Sequence, residues 1–217
     1  MINIRQQEDL FIAIGKMLKR KINVYAIGGT AMMLRGIKNS TLDIDLVFEK
    51  NKDRFELSDV LKKLGAKESD VTLVYGLKNN TPLMLELEDS RFDLFMRKII
   101  TSNFSDNMKK RAKQVHEFGN FILNVADPID ILIMKSVTSR AKDLEDIISI
   151  VKSEKIDWEI LINESKEQAK LGNETAVISL GEKLEKLKEQ KVINVPQEVL
   201  DNLWKFFKKQ VKEKSKK

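Results

Sequence analysis

The chain has 217 residues, no cysteine, a single histidine (His116) and a formal net charge of +6. The lack of thiols rules out disulfides and thiolate metal sites and fits a reducing, cytoplasmic setting, while one imidazole argues against His-rich zinc sites and Ser-His-Asp catalysis. No apolar run reaches the roughly 18 residues of a membrane span and no charged-then-apolar leader is present, so no membrane association is expected. The charge is local: residues 205–217 hold seven lysines and one glutamate, which leaves residues 1–204 neutral. Attraction to nucleic acid therefore rests on that tail or on local patches, and a frayed solubilising terminus is the plainer reading.

From Gln6 to Arg20 the apolar residues Leu10, Phe11, Ile14, Met17 and Leu18 are spaced as on a helix. A β-rich run, Ile22–Ile27, breaks at Gly28-Gly29-Thr30, and a short apolar helix follows to about Gly36. Residues 42–48, Leu-Asp-Ile-Asp-Leu-Val-Phe, read as a buried strand carrying Asp43 and Asp45. An amphipathic helix over 53–64 stops at Gly65. Val71–Tyr75 and a hairpin over 83–96 add strands, and Met108–Ala112 reads as a helical turn. Gln114–Phe118 and Phe121–Val125, joined by Gly119-Asn120, form a two-residue hairpin. Asp127-Pro128 then has the form of an N-cap with Pro in the first turn, and the remainder reads as helices over 128–139, 143–153, 157–171, 173–191 and 196–213. The expected architecture is α+β (mixed α/β). A sheet domain flanked by helices spans 1–126, and a helical domain with the lysine-rich tail spans 127–217. The stripe Leu200, Leu203, Trp204, Phe207 and Val211 on the last helix reads as core or dimer contact.

Two features carry chemistry. Strand side chains alternate, so Asp43 and Asp45 share a face about 6–7 Å apart. Carboxylates that close repel, and a divalent cation is the usual reason to tolerate them. Glycines ahead of a helix let backbone amides approach a phosphate. Either half alone has an ordinary reading, a tight turn or a solvated strand edge. Together, on an apolar strand, they point to phosphoryl or nucleotidyl transfer.

The arrangement resembles the nucleotidyltransferase superfamily, whose fold is shared with DNA polymerase β. Its pattern is Gly-[Gly/Ser], an interval, an apolar-flanked Asp-x-[Asp/Glu], and a third carboxylate on a neighbouring strand. Here Gly28 and Gly29 precede an interval of residues 30–42, then come Asp43 and Asp45. Asp93, in Ser90-Arg-Phe-Asp-Leu-Phe95, is the preferred third carboxylate, with Glu86 as competitor. The segment Val125-Ala-Asp-Pro-Ile-Asp-Ile-Leu-Ile-Met-Lys135, running on through Arg140-Ala-Lys-Asp143 to Asp146, is similar to that of AbiEii-type nucleotidyltransferases, often found as toxins of toxin–antitoxin systems. Where such sequences often carry Arg four residues before the first aspartate, this chain has Asn39, with Lys38 beside it.

The resemblance implies roles residue by residue. Gly28, Gly29 and Thr30 hold an NTP through backbone amides and a hydroxyl. Asp43, Asp45 and Asp93 are catalytic and ligate two Mg²⁺ ions. Lys135 is a counter-charge for the triphosphate, Asp143 anchors Lys135 or the acceptor, and Arg140 and Lys142 hold the acceptor. That acceptor is expected to be a tRNA 3′ end or a protein hydroxyl, and a cognate antitoxin or a second copy is the expected protein partner. Two rivals stand beside this reading. One is a nucleotide- or partner-binding protein on the same fold without turnover, as an antitoxin or scaffold would be. The other, a metal-dependent phosphatase or nuclease, leaves the glycine pair unexplained.

Overall fold

The computed structural model describes residues 1–215; Lys216 and Lys217, the last lysines of the tail, lie outside the described residues. The chain divides into two compact units, Met1–Asp127 and a second from Pro128 onward.

The first unit runs β1 (Ile2–Asn3), α1 (Ile4–Met17), β2 (Ile22–Ala26), α2 (Gly28–Leu34), β3 (Ser40–Thr41), β4 (Asp43–Phe48), α3 (Asn51–Lys63), β5 (Lys67–Glu68), α4 (Thr72–Tyr75), β6 (Leu83–Leu87), β7 (Ser90–Met96), β8 (Lys98–Ile99), β9 (Ser102–Asn103), α5 (Asp106–Arg111), β10 (Gln114–Phe118) and β11 (Phe121–Val125). Its main sheet is ordered β10-β11-β2-β4-β7-β6-β5, with β8 and β9 continuing from β7, while β1 and β3 pair separately. The sheet is mixed: β11 with β2 and β4 with β7 are parallel, and the β2–β4 and β6–β7 pairs are antiparallel.

Burial explains the order. Val24 and Ala26 on β2, Ile44 and Leu46 on β4, and Phe92 and Leu94 on β7 are all fully buried, as expected of central strands covered by helices. One such cover is α1, which starts on a capping box: Asn3 accepts from the Gln6 amide, and the Gln6 side chain accepts from the Asn3 amide, both at 3.0 Å. Its apolar face buries Phe11 and Ile14, and the Phe11 ring packs 5.4 Å from Phe118 and 5.5 Å from Phe121. Removing that ring should cost about 3–5 kcal/mol. The β10–β11 hairpin turns at Gly119, whose φ of +64° is the left-handed conformation such a turn requires.

Residues 71–75, expected as a strand, instead hold the single helical turn α4. Asp70 accepts from both the amide and the hydroxyl of Thr72, which starts a turn and gives the backbone an alternative to a ladder. Leu73 and Val74 remain exposed, so their β-propensity had no strand to join. The short strands β1, β3, β5, β8 and β9 add pairings that no sequence pattern marked.

The second unit is helical: α6 (Pro128–Ser136), α7 (Ala141–Ser153), α8 (Trp158–Lys170), α9 (Ala176–Glu189) and α10 (Gln197–Lys214). Helix α6 is buried on nearly every side, through Ile129, Ile131, Leu132 and Ile133 together with Asp130, Lys135 and Ser136, and the amphipathic helices pack around it. Asp157 caps α8 by accepting from the Glu159 and Ile160 amides at 3.1 Å. On α10, Leu200 and Leu203 are buried, Trp204 packs edge-on to Phe207, and Val211 is exposed. The upper part of the stripe is therefore core. Gly181 on α9 faces the Trp204 ring, which a Cβ there would meet at 3.4 Å. Among the described residues, no helix is long and apolar enough to cross a membrane.

Candidate nucleotidyltransferase site

Alternation along β4 buries Ile44 and Leu46 on one face and leaves Asp43 and Asp45 half-buried on the other. Because β7 runs parallel in register, Asp45 lies opposite Asp93 and Asp43 opposite Arg91. Four charged side chains thus share one face of two adjacent central strands. On the next strand, β6, the rival Glu86 pairs with Arg91 rather than with an aspartate, and its side chain is exposed. Asp93, not Glu86, is the carboxylate brought beside Asp45.

Asp93 is completely buried, and both its oxygens are occupied. Tyr75 Oη donates to Oδ2 at 2.5 Å, while Arg91 donates from Nε to Oδ1 and from Nη2 to Oδ2, each at 3.0 Å. The same Arg91 Nη2 reaches Asp43 Oδ2 at 2.7 Å. Burial pushes the Asp93 carboxyl above its ordinary range, outweighing the Tyr75 and Arg91 bonds that favour the anion. Burial also pulls the Arg91 guanidinium down, but Asp93 and Asp43 overcome it and hold it above its usual value. The Tyr75 hydroxyl is raised, first by burial and then by the charge of Asp93.

The glycine pair sits against this face. Gly28 has φ +56°, and a Cβ there would lie 2.5 Å from Asp45 Oδ2; at Gly29 it would lie 2.3 Å from Thr41 Oγ1. Neither position accommodates a side chain. The first intrahelical bond of α2 runs from the Ala31 amide to Ile27 O at 3.1 Å, so the amides of Gly28, Gly29 and Thr30 precede the ladder. The expected hydroxyl contact from Thr30 to a triphosphate needs correction. Thr30 is fully buried, and its hydroxyl accepts the Asp45 amide at 2.9 Å and donates to Asp43 O at 3.4 Å. It fixes the aspartate strand against α2.

The remaining candidates lie in the second unit. Lys135 is buried, donates to Asp143 Oδ1 at 2.7 Å and forms an ion pair with Asp146 Oδ2 at 2.7 Å. Arg140 forks onto Asp143 at 2.7 and 3.1 Å, and Thr138 also donates to it. Although burial alone would raise Asp143, Arg140, Lys135 and Thr138 lower it to about 2. Lys135 is held above its ordinary value because the two aspartates overcome the burial that would lower it. Lys183 donates to the Lys135 and Thr138 carbonyls, closing the C-terminal end of α6. Of the two partners expected for Asp143, Lys135 is the one it contacts. Arg140 keeps a largely exposed side chain, and Lys142 is exposed. His116 lies half-buried on β10, its Nε2 2.9 Å from Gln114 Nε2.

Sequence reasoning missed Arg91 and Tyr75. Alternation alone places Arg91 on the face of Asp93, two residues away. Tyr75 left no such signal, because its segment reads as a strand.

The donor set fits a cation only in part. Among the described residues, no group of three His, Asp or Glu side chains is placed to hold a metal ion. Asp43 and Asp45 are hard oxygen donors on one half-open face and suit magnesium, whereas Asp93 is committed to Tyr75 and Arg91. The arrangement offers two carboxylates, not the three expected from the resemblance.

A glycine-backed pair of strand aspartates with a third carboxylate in register is matched at family level. The profile of the family described as "Nucleotidyltransferase of unknown function (DUF6036)" covers residues 8–192. The chain belongs to this nucleotidyltransferase family. No curated protein matches it. Among solved structures, an antigenic nucleotidyltransferase-like protein from Paracoccidioides brasiliensis matches with a TM-score of 0.47 and 16% sequence identity, covering 91% of this chain and 98% of its own. In this family member, the matched span takes in the whole carboxylate face and α6–α9 but ends before α10.

Proposed function

We propose that the chain is a magnesium-dependent nucleotidyltransferase of the AbiEii type, moving NMP from an NTP to a hydroxyl on a tRNA 3′ end or a protein, as the toxin of a toxin–antitoxin pair. The observation that carries this reading is the close approach of Gly28 to the Asp45 carboxylate, with Asp93 in register beside it. Phosphate amides and acidic ligands then converge on one face.

The amides of Gly28 and Gly29 hold the triphosphate, because no side chain keeps its oxygens away. Asp43 and Asp45 would hold magnesium, which when bound offsets charge at the reacting phosphate and acidifies an acceptor hydroxyl. Thr30 fixes the spacing of the two aspartates through the β4 backbone. Asp93 holds Arg91 and Tyr75 in place beside them. The acceptor oxygen attacks the α-phosphorus, and pyrophosphate leaves. We assign Lys135 and Asp143 the clamping of α6 to α7, and Arg140 with Lys142 the phosphate of the acceptor end.

One observation favours a second reading. Arg91 already bridges Asp43 and Asp93, as it would in a protein that binds nucleotide or a partner without turnover. Incubation with each α-labelled NTP, magnesium and a tRNA pool separates the two. Label in RNA or protein with pyrophosphate release supports transfer. Nucleotide binding without label transfer supports the binding protein, and inorganic phosphate alone supports a phosphatase.

A further inference from the structure

Resting on the reading of Asp43 and Asp45 as cation ligands, we infer that Arg91 is a positioning residue that holds Asp43 in the resting site and must release it before a divalent ion binds. A single nitrogen, Arg91 Nη2, lies 2.7 Å from Asp43 Oδ2 and 3.0 Å from Asp93 Oδ2. Arg91 thus ties Asp43, one of the two cation carboxylates, to the buried Asp93. The strand register dictates it: Arg91 pairs with Asp43 across β4 and β7, and stands two residues from Asp93 on the same face. Without such a charge, three carboxylates on two adjacent strands would repel one another.

Two properties make the arrangement a removable plug. Asp93 is the fixed end: it is fully buried and keeps Tyr75 as a donor whether or not Arg91 stays. Asp43 is the open end, its side chain 22% exposed and that of Arg91 20% exposed, so the long side chain has a route to solvent. A guanidinium does not discharge at any working pH, so it leaves by moving and not by losing its proton. A triphosphate beside Gly28 and Gly29 gives it somewhere to go, because Arg pairs with phosphate through two parallel bonds. Nucleotide should therefore draw Arg91 off Asp43 and open the carboxylates to the ion. Ion and nucleotide then bind cooperatively, with Arg91 as the coupling element.

Mn²⁺ binding, followed by electron paramagnetic resonance on the full chain without nucleotide, tests this directly. Arg91→Gln should bind Mn²⁺ about tenfold more tightly than wild type, as expected when a competing charge is removed. Arg91→Lys, which keeps the charge without the fork, should fall between them and covers the case in which Arg91→Gln does not fold. Adding a non-hydrolysable NTP should tighten Mn²⁺ binding in wild type far more than in Arg91→Gln, a difference that a purely structural role would not produce. Asp45→Asn in the Arg91→Gln background should abolish binding and so locate the ion. Equal or weaker Mn²⁺ affinity in both Arg91 variants, with Asp45→Asn still abolishing it, overturns the plug and leaves the ion site standing. No Mn²⁺ binding to any of these proteins, with or without nucleotide, overturns the plug and the ion site together.

Discussion

Two acidic clusters in this chain are each neutralised by basic side chains, yet they are built to different ends. In the helical unit, Lys135, Asp143 and Asp146 are buried together, and every charge meets its opposite at hydrogen-bond distance. On the sheet, only Asp93 is buried to that degree; Asp43, Asp45 and Arg91 face partly into solvent beside two glycines. A closed, fully paired cluster holds elements in place. A half-open cluster next to bare backbone leaves room for a ligand. On the proposed function, the same residue types carry architecture in one unit and chemistry in the other, and the degree of closure separates them.

The sharpest break on the architectural side is Lys135→Met. It leaves Asp143 and Asp146 buried without their shared ammonium and should cost about 3–5 kcal/mol in urea unfolding. A loss under about 1 kcal/mol would mean that the cluster is not a clamp, and the contrast with the sheet would collapse.

The pH dependence of that cluster follows from Asp143, whose carboxyl is lowered from 3.8 to about 2 in the folded chain. A depressed carboxyl stabilises the fold above its unfolded pKa, and this stabilisation is lost as pH falls through the folded one. Wild type should thus lose roughly 2 kcal/mol between about pH 4 and pH 2 that Asp143→Asn does not lose. Superimposable acid melting curves for the two proteins would contradict this.

On the sheet side, Thr30→Val removes the hydroxyl between the Asp43 carbonyl and the Asp45 amide. A buried amide without its acceptor costs roughly 1–3 kcal/mol, and the aspartate spacing should slacken with it. Activity should fall by more than the loss of folded protein accounts for, as read by turnover at a temperature where both variants remain folded.

Arg140→Ala combined with Lys142→Ala should cost a modest amount, about 1–2 kcal/mol, because Lys142 is exposed but the largely exposed Arg140 still forks onto the buried Asp143. Transfer to the acceptor should drop well beyond any change in NTP binding, and the residual activity should depend less on salt. Equal loss of NTP binding and transfer would place these residues on the triphosphate.

The legible parts of the fold were those with local signals. Gly119-Asn120 between alternating runs marked the β10–β11 hairpin, and Asp127-Pro128 marked the start of α6. Asp43 and Asp45 stood out because carboxylates interrupt an apolar strand. Other features depended on partners distant in sequence. Nothing local shows that β1 pairs with β3, or that β7 lies parallel to β4 and puts Arg91 against Asp43. Thr30 looked like a ligand because it follows the glycines, but the strand that claims its hydroxyl lies 13 and 15 residues on. Tyr75 was hidden by the β-propensity of Val71, Thr72 and Val74, which tertiary structure overrode with α4.

The measurement closest to the central claim is nucleotidyl transfer by Asp43→Asn and Asp45→Asn, with Glu86→Gln as control and melting curves taken alongside. If the half-open face is the chemical site, both asparagine variants should lose magnesium-dependent transfer. Asp45→Asn should melt at or above the wild-type temperature because a like charge is gone, whereas Asp43→Asn gives up its ion pair with Arg91 and should melt slightly lower. Glu86→Gln, exposed and out of register with Asp45, should keep its activity. Transfer within about tenfold of wild type in either asparagine variant, a change of only about 1.4 kcal/mol in barrier, would contradict the account.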